Sequence, residues 1–135
     1  MTSYTPTDAK HIVDEFFAAF GAGDYDRLLR LAHDDIEVIS TGPDDVPWYG
    51  TYHGHEGLQQ FLEHLDSATQ TEAFSVDWLV SEQDTVFAAG HLKHRIPATG
   101  NLFESDWALR CTVREEEIVE YQFFEDTAAA ATAFD

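Results

Sequence analysis

Positive charge is scarce in this chain. Lys10 and Lys93 are its lysines, and seven Lys and Arg in all face 26 Asp and Glu, for a net charge of −19 over 135 residues. Such a surface repels nucleic acid and anionic membranes, so neither is expected as a partner. The acids are spread along the chain rather than massed in a tail. With so little lysine, this matches adaptation to a salty cytoplasm, where ions screen self-repulsion, and stability is expected to rise steeply with molar salt. A cationic substrate or partner is the competing explanation. Cysteine is nearly absent too: Cys111 is alone, which excludes an internal disulfide and suits a reducing compartment. The N-terminal residues carry no basic segment followed by an apolar run, and no apolar stretch nears the ~20 residues of a membrane helix. A cytoplasmic location is expected.

Apolar material is plentiful. Hydrophobic residues make up 44% of the chain and ten residues are Phe, enough to fill the core of a single domain spanning 1–135. Thr5-Pro6-Thr7-Asp8 reads as a helix start, with Thr5 as cap and Pro6 in the first turn. Ile12, Val13, Phe16, Phe17 and Phe20 then recur at helical spacing. Gly21 and Gly23 end that helix, and Asp24 can cap a second one carrying Tyr25, Leu28, Leu29 and Ala32. Residues 36–40 suit a short strand. A loop punctuated by Gly42, Pro43, Pro47, Gly50 and Gly54 follows. The third helix is expected over about 56–65, with Leu58, Phe61, Leu62 and Leu65 on one side.

Beyond that the period changes to two. Strands are expected near 73–81, 85–96, 102–114 and 117–126, with turns at 82–84, 97–100 and 114–116, and residues 127–135 are left unassigned. Helices first and strands later indicate an α+β fold with a mostly antiparallel sheet. Alternation puts Phe103, Ser105, Trp107, Leu109, Cys111 and Val113 on one largely apolar face, expected to meet the helices. On the last strand Val119, Tyr121, Phe123 and Glu125 share one face, and Ile118, Glu120, Gln122 and Phe124 the other.

Three stretches carry a resemblance. Residues 16–31 are a helix, a glycine break and a second helix. Residues 47–61 hold spaced glycines leading into a third helix. Residues 98–113 and 118–127 form a final hairpin ending in Asp126-Thr127. In this order they resemble SnoaL-like and ketosteroid-isomerase-related proteins of the nuclear transport factor two-like superfamily. The resemblance implies a cone-shaped, curved, mostly antiparallel sheet wrapped by three helices from the N-terminal half, a pocket open at one end, and a homodimer. It does not imply one activity, because this fold hosts isomerases, cyclases, hydrolases and proteins without catalysis.

Aligned to the isomerases, the donor tyrosine falls at Phe16, the base carboxylate at Ser40 and the second donor near Leu109. Aligned to the cyclases, the acid–base pair falls at Phe123 and Leu109. None of these groups is retained, so classical steroid isomerisation is not expected. What remains for chemistry is Glu125, on the inner face beside Phe123 and Trp107, where desolvation should raise its pKa, and His91, an imidazole placed to carry a proton. Leu92, with Ala88 and Ile96, can instead mark the inner face of that strand and leave His91 outside. Either catalytic candidate has a plain alternative as a surface or core residue. Phe16, Phe20, Ser40, Trp48, Tyr52, Trp107, Leu109, Tyr121 and Phe123 are expected to shape the pocket, and Tyr49 clusters with Trp48 and Tyr52. His53-Gly54-His55-Glu56 offers two imidazoles and a carboxylate but no third imidazole at a defined spacing, so it is read as a helix start. No metal and no cofactor are expected. The reading is a small apolar ligand, with proton-transfer chemistry such as isomerisation, cyclisation or dehydration if the protein is an enzyme, and a non-catalytic binding or interaction module as the rival. Glu104 and Arg110 on the outer face are candidates to pair across a two-fold axis.

Overall fold

The computed structural model describes residues 6–135, with side chains from Ala9 onward. The order is α1 (Pro6–Ala22), α2 (Tyr25–Leu31), β1 (Ala32–Ser40), β2 (Gly50–His53), α3 (Gly54–Ala68), β3 (Gln70–Glu82), β4 (Thr85–Arg95), β5 (Leu102–Arg114), β6 (Glu117–Glu125) and α4 (Thr127–Ala133). The strands form one sheet in the order β2-β1-β6-β5-β4-β3. β1 runs parallel to β6 and every other pairing is antiparallel. The sheet curves without closing, and β2 and β3 are its edges. No helix among the described residues is long and apolar enough to cross a membrane.

The helix ends follow from local chemistry. The expected Thr5 cap lies outside the described residues. At the other end of α1 the Asp24 N–H donates to Ala19 O (3.0 Å) and the Gly23 N–H to Phe20 O (3.1 Å), with Gly23 at φ 68°. This is a Schellman stop. Asp24 then turns its carboxylate onto the Arg27 N–H at 3.2 Å and caps α2, a bond that contributes about 1 kcal/mol. α1 and α3 lay Val13, Phe16, Leu58, Phe61 and Leu62, all buried, onto the sheet.

The inner face of β5 is as the alternation predicts: Phe103, Ser105, Trp107, Leu109, Cys111 and Val113 are all buried. β6 departs from it. The register against β5 shifts between Thr112 and Val113, and this bulge leaves one residue of β6 unpaired and reverses the parity across it. Ile118 is therefore buried with Tyr121, contrary to the simple alternation, while Val119 lies on the outer side with Thr112 and Glu120.

Two elements add to the expected set. β2 pairs with β1 inside the expected loop; its four residues include no buried side chain to give it a period. The unassigned C-terminal segment is a fourth helix. Asp126 caps it by accepting the Ala129 N–H at 3.0 Å, Ala130 and Ala133 are buried, and Thr99 Oγ1 and Asn101 Nδ2 donate to the Ala133 carbonyl at 2.6 and 3.2 Å.

Candidate functional site

Between α1, α3 and the inner face of the sheet lies a cavity of about 1070 Å³. Aromatic side chains form much of its inner wall. Phe16, Phe17 and Phe20 come from α1, Phe61 from α3, Phe74 from β3, and Tyr121 and Phe123 from β6. Four rings form a ladder across three strands. Tyr121 stacks on Phe123 (centroids 6.3 Å apart, 10° between planes), Phe123 on Trp107 (5.5 Å, 19°) and Trp107 on Phe74 (5.0 Å, 13°). Such pairs each add about 0.5–1.5 kcal/mol beyond their burial. Gly90 makes room for the ladder: a Cβ there would collide with the Ser75 carbonyl and come within 2.9 Å of Trp107 Cζ2. The buried Trp107 Nε1 has no hydrogen-bond partner among the described residues.

Polar chemistry is concentrated where the loop before β2 meets the end of β6. Two turns shape that loop, Val46 N–H to Pro43 O (3.1 Å) and Tyr49 N–H to Val46 O (3.2 Å). Val46 and Trp48 are buried. The Tyr49 ring occupies the space where a Cβ on Gly42 would be. Tyr52 holds the loop from behind, its hydroxyl donating to the Trp48 carbonyl at 3.1 Å. So positioned, Trp48 Nε1 (2.9 Å) and the Tyr49 hydroxyl (2.6 Å) both donate to Oε2 of Glu125. Glu125 is fixed by its register against Trp107. The next residue donates its N–H to Ser105 Oγ at 3.0 Å.

Burial raises the Glu125 carboxyl above the usual carboxylate range, and the bonds from Tyr49 and Trp48 pull it partly back. Burial and the adjacent Glu125 charge push the Tyr49 hydroxyl far up, so it stays a donor. Burial likewise raises Tyr121. His94 also lines the wall, from β4. Burial pushes it down to about 4, and its Nδ1 lies 3.0 Å from Thr71 Oγ1. The site therefore offers a tuned carboxyl group, a neutral imidazole and apolar walls. This combination can hold an apolar molecule and exchange one proton with it.

Of the residues singled out in the sequence, Glu125, Phe16, Phe20, Ser40, Trp48, Tyr121 and Phe123 line this cavity. Three others stand behind the wall. Trp107 backs Phe74 and Phe123, Leu109 is buried in the core, and Tyr52 packs on Phe61 (5.5 Å). His91 is elsewhere. Strand parity sends it to the outer face, where Asp106 (3.0 Å) and Glu104 (2.8 Å) take its two ring nitrogens. The same strand's Val86, Ala88, Leu92 and His94 are the buried set. His94 was missed, and Tyr49 was read as one of an aromatic cluster without its bond to Glu125. Leu92 as an inner marker would have found His94, whereas a loop residue such as Tyr49 has no period to betray it. Arg110, considered for an intersubunit pair, bonds Gln122 (2.7 Å) and Glu120 (3.2 Å) within its own sheet. His53 and His55 part company, towards Glu37 (3.8 Å) and the Ala32 carbonyl (2.8 Å).

A curved, open sheet with helices over one face and a cavity between them defines the nuclear transport factor two-like class. Solved structures agree. An NTF2-like protein from Burkholderia xenovorans LB400 is 30% identical, with 98% of this chain and 100% of that one covered at a TM-score of 0.90. One from Burkholderia thailandensis E264 is 26% identical, with 94% and 97% covered at 0.83. TerC, co-crystallised with polyporic acid, is 19% identical, with 94% and 98% covered at 0.80, a likeness of fold alone. Within that class the chain belongs to the SnoaL-like domain family, which residues 13–121 match. Among curated proteins no relative was found.

Proposed function

We propose that this protein binds a small, largely apolar organic molecule in the aromatic cavity and that Glu125 carries a proton to or from it. The observation that carries this is the placement of one desolvated carboxyl group, held at Oε2 by Trp48 and Tyr49, on an inner wall that also carries Phe16, Phe61, Tyr121 and Phe123. In the same cavity burial raises Glu125 and keeps His94 neutral, and a carboxyl group raised from its usual range is the better proton carrier near neutral pH. The reaction class is proton transfer beside a carbonyl, as in isomerisation, cyclisation or dehydration. A second reading, binding without catalysis, is favoured by Phe16 and Phe123, carbon surfaces at the positions where catalytic relatives of this fold carry polar groups.

β-Tetralone, an apolar ketone with acidic α-protons, separates the two. Binding is read by tryptophan fluorescence and α-proton exchange by NMR in deuterated buffer. The expected result is binding, with exchange faster than in buffer, and a Glu125→Gln variant that keeps the affinity but loses about 10²-fold or more of the rate. Binding without exchange leaves the second reading. Absence of binding by any neutral apolar probe sinks both.

We also propose a homodimer formed through the outer face of the sheet. Trp78, Ala89, Ala108 and Phe124 sit in register across four strands. Trp78 and Phe124 are exposed there with Val80 and Phe87, an apolar patch of the kind that marks an interface. Sedimentation equilibrium should show a dimer that Trp78→Glu converts to monomer; a monomeric parent protein would remove the proposal.

A further inference from the structure

The charged side chains on the cavity lining are all of one sign. Glu125 stands on the inner wall, and Asp14, Asp66 and Glu72 stand on exposed rim positions of α1, α3 and β3. Among the described residues no Lys or Arg contributes to the lining. Glu72 is already matched by Arg95 (3.0 and 3.4 Å). Rim acids follow from the composition of a chain with 26 of them. Glu125 does not, because withdrawing a carboxylate from water is costly and needs compensation. Trp48 and Tyr49 supply part of that, both at Oε2; Oε1 takes part in neither bond. The side chains before it on the same face of β6 are Tyr121 and Phe123, whose ring faces are taken up by the ladder.

We infer that the ligand of this cavity is a cation: an apolar molecule bearing one protonated amine, its ammonium group set against Glu125 and its body against the aromatic ladder. The inference rests on the reading of the cavity as a binding site. A neutral ligand without a hydrogen-bond donor would displace water from Oε1 and leave it unpaired. An acidic one would meet carboxylates alone, since His94 is uncharged at neutral pH. The ammonium supplies Oε1 with a charged donor.

Three matched probes test it: β-naphthylmethylamine, β-naphthylmethanol and β-naphthoate, which differ in charge and little in shape. Binding is measured at neutral pH in about 1 M salt, where the Debye length is ~3 Å. At that length the field of the whole acidic surface is screened while a pair inside the cavity is not. The amine is expected to bind about tenfold or more tighter than the alcohol, with the carboxylate weakest. Glu125→Gln, which keeps an oxygen for Trp48 and Tyr49, should abolish that margin, with near-ultraviolet circular dichroism showing that the variant is folded. Equal binding of amine and alcohol, or a preference that survives Glu125→Gln, overturns the inference and leaves the apolar-pocket reading standing. Failure of the alcohol to bind as well removes both.

Discussion

Trp107 and Trp78 are the same residue type in one sheet, 3% and 70% exposed. His94 and His91 lie three residues apart on β4 and face opposite ways. Burial pushes His94 down to about 4, whereas the bonds from Asp106 and Glu104 raise His91. The residue type decides little in either pair. What differs is the face. The inner one removes water and punishes charge, and the outer one keeps water and lets carboxylates gather round a cation. The inner face is thus where a single carboxylate can become reactive, and the outer face is where a chain of charge −19 disperses its acids.

The largest effect that sharpens this contrast is on packing. Trp107→Ala removes the centre of the ladder against Phe17, Phe74 and Phe123 and should cost about 3–5 kcal/mol. Trp78→Ala, with the protein dilute enough to be monomeric, should stay within about 0.5 kcal/mol. Urea unfolding at fixed molar salt measures both. Comparable losses would mean that the two faces are not energetically distinct.

Sequence periodicity carried the fold wherever one face is continuously buried. β5 is legible because six alternate residues from Phe103 to Val113 are all inside. The first two helices are legible because glycine and Asp24 mark their ends. β6 misleads at Ile118 because a bulge has no signature in a pattern of alternate residues, and only beyond it do Tyr121, Phe123 and Glu125 follow one face. β2 is too short and too exposed to show a period. α4 carries its signal in a cap and a run of alanines rather than in a hydrophobic stripe, so composition alone left it unread. At the site, alternation brings Glu125 to the cavity but cannot see its partners. Trp48 and Tyr49 reach it from 77 and 76 residues away through a loop whose path is set by turns and by the space above Gly42.

A smaller effect comes from the two imidazoles and is read in one pH titration. His94 is held neutral in the folded chain and regains its ordinary value of 6.5 on unfolding. Between those values the unfolded chain takes up a proton that the folded one does not. Stability should therefore fall as pH drops from about 6.5 to about 4, by roughly 3 kcal/mol, and His94→Gln should flatten that part of the curve. NMR titration should place the His94 midpoint near 4. His91 has the opposite sign. Its raised value means that the contribution is present below 6.5 and is lost as pH rises through the folded midpoint. Being exposed, it should shift its own resonance upward while His91→Asn scarcely moves the unfolding midpoint at pH 6 and not at all at pH 9. If the two midpoints coincide, strand parity does not govern the chemistry of β4, and the assignment of His94 to the cavity wall falls with it.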